Sequence, residues 1–195
     1  MATITLGGKE VRTSGNLPSI GTKIKDFKLV AIDLSTKTLS DFTGSRLVLN
    51  IFPSVNTGVC SASVRSFNKI ASQLDNTTVL CISRDLPFAQ DQFCAAEGLN
   101  NVIMLSDFKT GDFGQDYGLI MTDGGFDGLL SRVVIITDTE GVVTYAEQVP
   151  EIGQEPDYYA AMAALNHYSH ECQKKNLSWL IGLKLLVMIL RETMF

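Results

Sequence analysis

The chain has 195 residues, a net charge of −5, 45% hydrophobic and 19% charged residues. That length suits one domain with a sizeable core, and the composition argues against a disordered chain or a polytopic membrane protein. With an acidic balance and no run of Lys or Arg, nucleic acid is not an expected partner.

The start, "MATITLGGKEVRTSG", lacks a basic stretch followed by an apolar one, so no signal peptide is expected and the cytoplasm is the expected compartment. Residues "TITLGGKEVRT" alternate apolar and polar around Gly7-Gly8, which predicts a β-hairpin. Strands are predicted over 27–33 and 46–52, the second with apolar residues on both faces. A helix is expected from Gly58 to Leu74, with Val64, Phe67, Ile70, Ala71 and Leu74 on one stripe. A central strand at 78–83 precedes a short helix over 87–98, opened by Pro87 and stopped by Gly98. Residues 101–106 read as a strand. Residues 132–138 and 142–149 read as a strand pair joined by "TEG", and 155–168 as a last helix with Pro156 in its first turn. Alternating strands and helices followed by a hairpin predict an α/β fold with a mixed central sheet and flanking helices.

Chemistry is suggested by "FPSVNTGVC", Phe52 to Cys60, directly after a buried strand. A thiolate is a nucleophile, and Cys60 falls in the first turn of the expected helix, where unpaired N–H groups attract negative charge. Thr57 lies one helical turn earlier, placed to donate to the sulfur or to a bound oxygen. Pro53, rigid and lacking an N–H, is placed to wall one side of a small pocket. Each residue also has an ordinary reading: Cys60 as a buried inert thiol, Thr57 as a helix cap, Pro53 as a strand terminator. The four cysteines, Cys60, Cys81, Cys94 and Cys172, form no C-x-x-C pair and no zinc-ribbon spacing. In a reducing compartment a disulfide among them is expected to be transient.

The spacing P-x-x-x-T-x-x-C over Pro53, Thr57 and Cys60 resembles the active-site signature of the peroxiredoxins. The stretches "LNIFPSVNTGVCSASVRSFN", "VLCISRDLPFAQDQFCAAEGLNNVIMLSDF" and "EPDYYAAMAAL" resemble the thiol peroxidase branch of that family, over about residues 1–165. The resemblance implies a thioredoxin-like fold of the peroxiredoxin type, and the N-terminal hairpin fits that branch. It implies Cys60 as peroxidatic cysteine, with Thr57 and Pro53 completing its motif. Arg132 matches the family's active-site arginine and Cys94 the branch's resolving cysteine. By itself, Arg132 reads as an ordinary strand-end ion pair. A guanidinium nonetheless offers permanent charge and fixed donors beside a thiolate. The surface charge of Arg65 is given a solvated or packing role.

The implied reaction is reduction of hydrogen peroxide and organic, lipid-like hydroperoxides in antioxidant defence. Cys60 passes through a sulfenic acid to a Cys60–Cys94 disulfide, and thioredoxin returns both thiols. The alternative is a redox sensor that hands its oxidation to a partner protein. No metal and no organic cofactor is needed, and the branch implies a homodimer. The two cysteines are expected on separate helices, too far apart to bond without local unwinding. Cys81, in a central strand, is expected to be buried and inert, with a resolving role as its alternative. The apolar residues Leu119, Ile120, Met121, Phe126, Leu129 and Leu130 read as a pocket rim, a core layer or a subunit interface. The active-site reading fails if Cys60 is sealed from solvent with no guanidinium beside it.

The resemblance fades near Leu165. Residues 1–165 hold 12 Lys and Arg against 19 Asp and Glu, while residues 166–195 hold 4 against 2. The tail thus reads as foreign to the domain, acquired by frameshift or a similar accident, with a docked helix or an interfacial amphipathic helix in contact with a membrane as the less favoured readings. Its apolar run is interrupted by Lys184 and is short for a membrane span. His167, His170 and Cys172 lack a standard zinc spacing, so no metal site is expected.

Overall fold

A computed structural model describes residues 1–166. The chain divides into two compact units, Met1–Asp157 and Tyr158–Phe195. In the second, residues 158–166 are helical. The rest of the tail, with His167, His170 and Cys172, lies outside the described residues.

The first unit opens with the expected hairpin, β1 (Thr3–Leu6) and β2 (Lys9–Arg12), paired antiparallel. Its two-residue turn uses Gly7 and Gly8 at φ +60° and +78°, values that match the right-handed twist of the flanking strands and exclude most side chains.

Seven further strands form one mixed sheet. In chain order they are β3 (Lys28–Ala31), β4 (Thr36–Thr38), β5 (Arg46–Ile51), β6 (Thr77–Ser83), β7 (Ile103–Ser106), β8 (Val133–Thr137) and β9 (Val143–Gln148). Their spatial order is β4-β3-β7-β6-β5-β8-β9. The β5–β6 and β6–β7 pairs are parallel; the other four are antiparallel. Parallel neighbours need a crossover. Helices α1 (Gly58–Ala71) and α2 (Pro87–Glu97) supply the two crossovers. Helix α1 packs on β5 and β6, and α2 packs on β7. Helix α2 starts with Pro87 and stops at Gly98, which adopts a left-handed conformation at φ +64°. Helix α1 ends at Ala71, one turn before the expected Leu74.

Three short elements were not anticipated. Strand β4, the 3-10 turn Leu39–Phe42 and α3 (Asp112–Asp116) span three to five residues each. Such lengths carry too few residues to show a period.

The central strands are buried on both faces. On one face Leu47, Leu49 and Ile51 of β5 join Leu80, Ile82, Leu105, Val133 and Ile135 in the main core, with Phe27, Phe113 and Tyr117 above them. The opposite face of β5 meets α1, where the Asn50 amide donates to Ser63 Oγ at 3.4 Å. Leu119 and Leu130 belong to the main core, with Ile120 packed against it. Met121 joins Ile4, Val11 and Ile152 beneath the hairpin, with Phe126 and Leu129 alongside. Leu119, Met121 and Leu130 are thus core residues, while Ile120, Phe126 and Leu129 are only partly buried.

Candidate active site

The topology brings one end of two neighbouring strands together. Strand β5 runs into the loop Phe52–Thr57 and then α1. Strand β8 runs antiparallel to it, so Val133, the first residue of β8, sits opposite Ile51, the last of β5. Arg132, just before β8, is thereby delivered to the loop that ends in Cys60.

Cys60 is the third residue of α1, behind N-cap Thr57. The first intrahelical acceptor is used by Ser61, whose N–H donates to Thr57 O at 3.0 Å. The N–H groups of Gly58, Val59 and Cys60 precede it and lie at the positive end of the helix dipole. The Arg132 guanidinium, 2% exposed, donates from Nη2 to Cys60 Sγ at 3.3 Å and from Nε to the Ile152 carbonyl at 3.0 Å. Its Nη1 is buried with no acceptor among the described residues. A buried donor of this kind is costly unless an acceptor arrives. The site thus presents a cationic group with one nitrogen on the sulfur and another unspent.

Cys60 itself is 0% exposed. One half of the adverse condition, a sulfur sealed from solvent, is therefore met; the other, a missing guanidinium, is not. The cover is thin at one place, since Gly58 is exposed and Thr57 and Val59 are partly so. Pro53 is buried in the loop wall. The Thr57 hydroxyl donates to Ser54 O at 3.2 Å and makes no cap bond to the helix. In this state it neither caps α1 nor is spent on the sulfur.

Cys94 lies on α2 at 9% exposure, and Cys60, Cys81 and Cys94 are all free thiols. Burial, then the charge of Asp91, pushes the Cys94 thiol up. Cys81 sits fully buried in β6, where burial pushes its thiol up to about 12 against a hydrogen bond from Asn50. That bond runs from Asn50 Nδ2 to Sγ at 3.6 Å. Arg65 pairs with Glu97 at 3.1 Å across α1 and α2, on the surface. Among the described residues no group of three or more His, Cys, Asp or Glu is placed to hold a metal ion. Among them too, no helix is long and apolar enough to cross a membrane.

A thiol at a helix start, facing a buried arginine, on a sheet of this order invites comparison with known proteins. The Redoxin family model matches residues 19–162. A thiol peroxidase of Corynebacterium glutamicum is 52% identical over 166 residues, covering 85% of this chain and all of that protein. The chain belongs to the thiol peroxidase branch of the Redoxin family. A thiol peroxidase of Mycobacterium bovis is 48% identical over 85% of this chain and 99% of its own length. Among solved structures, a peroxiredoxin-like protein from Aquifex aeolicus superposes with a TM-score of 0.81 at 33% identity, covering 86% of this chain and 97% of its own. A thiol peroxidase from Chromobacterium violaceum has the same TM-score at 21% identity, covering 87% and 98%, and attests the fold. This peroxiredoxin is therefore an enzyme that reduces peroxides by thiol chemistry.

The candidate site also includes a residue that sequence reading passed over. The Asp85 carboxylate accepts from Ser54 Oγ at 2.6 Å, from the Val55 N–H at 2.8 Å and from Ser83 Oγ at 2.7 Å. Its backbone carbonyl accepts from Ser106 Oγ. Asp85 thus ties the loop carrying Pro53 and Thr57 to the end of β6 and the entry to α2. Its one local signal is an acid just before a Leu-Pro helix start. Ser54 and Val55 lie 31 and 30 residues away, so sequence spacing could not reveal them.

Proposed function

We propose that the Cys60 thiolate attacks the terminal oxygen of a hydroperoxide. The sulfur–oxygen bond forms as the oxygen–oxygen bond breaks. Sulfur is oxidised to a sulfenic acid, and the departing hydroxide or alkoxide takes a proton to leave as water or an alcohol. The observation that carries this reading is the Arg132 contact at 3.3 Å from Cys60 Sγ, with Nη1 unpaired beside it. Nη2 stabilises the negative sulfur, while Nη1 and the free N–H groups of the first turn of α1 are donors for the peroxide oxygens. Thr57, released from Ser54, adds a hydroxyl, and Pro53 keeps water from the loop side. With Cys60 buried, the peroxide enters through the exposed turn at Thr57–Val59.

Cys94 then attacks the sulfenic sulfur, expelling water and forming a Cys60–Cys94 disulfide. Both thiols sit in helices and are buried, so this step calls for unwinding at the start of α1, in α2, or in both. A reduced dithiol protein of the thioredoxin class supplies two electrons through a mixed disulfide and restores both thiols. The working form is a cytoplasmic homodimer, and Leu86 and Phe88, 52% and 66% exposed at the start of α2, are apolar surface for such a contact. The residues that do this chemistry require no cofactor. The domain proper spans residues 1–165, with 166–195 as an appended tail.

A coupled assay with thioredoxin and a hydroperoxide on wild type, Cys60→Ser and Cys94→Ser tests the cycle. Cys60→Ser is expected to abolish peroxide reduction. Cys94→Ser is expected to form the sulfenic acid at the wild-type rate but to stop recycling. Full turnover by Cys94→Ser through a Cys60–Cys81 link would overturn the assignment of Cys94.

A further inference from the structure

A guanidinium is planar, so a bond that holds Nε also fixes where Nη1 and Nη2 point. In Arg132 that bond goes to the Ile152 carbonyl at 3.0 Å. What holds Ile152 therefore aims the donors at Cys60. The Ile152 N–H donates to Thr5 O at 2.9 Å, and the Thr5 N–H donates to Pro150 O at 2.7 Å. Residues 150–152 are in effect a short strand laid along β1, with Thr5 and Glu151 bridged in parallel. The Ile152 side chain is buried beneath the hairpin with Ile4, Val11 and Met121.

Glu151 closes this clasp. Its Oε1 accepts from the Gly7 N–H at 3.0 Å and the Gly153 N–H at 3.1 Å. Its Oε2 accepts from the Gly8 N–H at 3.0 Å and Thr5 Oγ1 at 2.8 Å. One carboxylate thus binds both glycines of the hairpin turn and the segment that bears the Arg132 acceptor. The same donors hold the Glu151 carboxyl down at about 2, led by the Gly8 N–H.

We infer that the N-terminal hairpin, clasped by Glu151, is a positioning device for the Arg132 guanidinium, and that Glu151 acts on Cys60 chemistry only through Arg132. This rests on the proposed role of Arg132. A hairpin that stands outside the seven-stranded sheet thereby reaches the reaction centre by two links, Glu151 to the hairpin and Ile152 to the arginine.

The test is a double-mutant cycle on the full chain, reading single-turnover oxidation of Cys60 by hydrogen peroxide with quench and mass analysis. Glu151→Ala is expected to slow oxidation about tenfold in the wild-type background, and by less than about twofold where Arg132→Met has already removed the guanidinium. Glu151→Gln keeps the volume but offers one acceptor oxygen to four donors. It is expected to slow oxidation about threefold and carries the test if Glu151→Ala does not fold. A folded Glu151 variant that reacts at the wild-type rate overturns the inference, as does an equal loss in both backgrounds, which would mark a general effect on the fold. Arg132→Met at the wild-type rate would bring down the active-site reading and this inference with it. A slow Arg132→Met beside an unaffected Glu151→Ala would sink the inference alone.

Discussion

Removing the Asp85 carboxylate should loosen the loop that leads into Cys60. In Asp85→Ala three hydrogen bonds disappear: those from Ser54 Oγ, the Val55 N–H and Ser83 Oγ. Bonds to a charged acceptor contribute about 1.5–3 kcal/mol each when buried. Asp85 is only partly buried, so solvent screens part of that contribution. The two serine hydroxyls also rotate to other acceptors. The Val55 N–H belongs to a buried residue and is left without its partner. A net loss of about 2–4 kcal/mol is therefore expected for Asp85→Ala. Asp85→Asn keeps one oxygen for Val55 and Ser83 and turns its amide toward Ser54, whose oxygen can accept; its loss should be about 1 kcal/mol. Urea unfolding gives the stabilities, and single-turnover oxidation of Cys60 gives the rate, expected to fall about tenfold in Asp85→Ala. If Asp85→Ala unfolds within about 0.5 kcal/mol of wild type and oxidises Cys60 within about twofold, the loop is held by something else and the reasoning is refuted.

Phe67, buried on the sheet-facing side of α1, should cost about 3–5 kcal/mol when changed to alanine, read from the urea midpoint. The Cys81 thiol stays protonated in the fold up to about 12, against an ordinary value of 9.0. Between these values the unfolded chain releases a proton that the folded chain keeps, so stability is full below pH 9 and falls as pH rises. The slope approaches about 1.4 kcal/mol per pH unit only above about pH 10, so about 1 kcal/mol is lost between pH 9 and 10, and Cys81→Ala should lack that loss. Glu151 has the opposite sign: its carboxyl is depressed to about 2 from 4.5. The clasp on Gly7 and Gly8 is therefore complete above pH 4.5, weakens progressively as pH falls below 4.5 and is lost as pH falls through 2. Amide-exchange protection of those two N–H groups, compared at pH 5 and pH 2.5, should decline; unchanged protection would deny the clasp. Arg65→Ala removes an exposed ion pair and should cost no more than about 1 kcal/mol. Because that pair joins α1 to α2, its loss should speed disulfide formation in the same variant, which stopped-flow thiol titration can follow.

Much of the architecture is local and was legible for that reason. Gly7 and Gly8 specify the hairpin turn, since few other residues adopt positive φ there. Pro87 and Gly98 bound α2 because one cannot donate within a helix and the other tolerates the left-handed stop. Continuous apolar runs marked β5, β6 and β8, because a strand covered on both faces has no polar side to show. The position of Cys60 in the first turn of α1 also follows from its own neighbours.

What faces Cys60 is another matter. Arg132 lies 72 residues away and reaches the sulfur only because β8 runs antiparallel to β5 and starts where β5 ends. Apart from the family resemblance, nothing in the residues around Arg132 distinguishes it from a surface ion pair. The same holds for Asp85 and Glu151, which take partners from distant turns. Backbone propensity and apolar period act over a few residues, so the sequence by itself determined the elements and the place of Cys60. Hydrogen bonds between segments depend on strand order and register, so only the tertiary structure decided which charges and donors surround the sulfur.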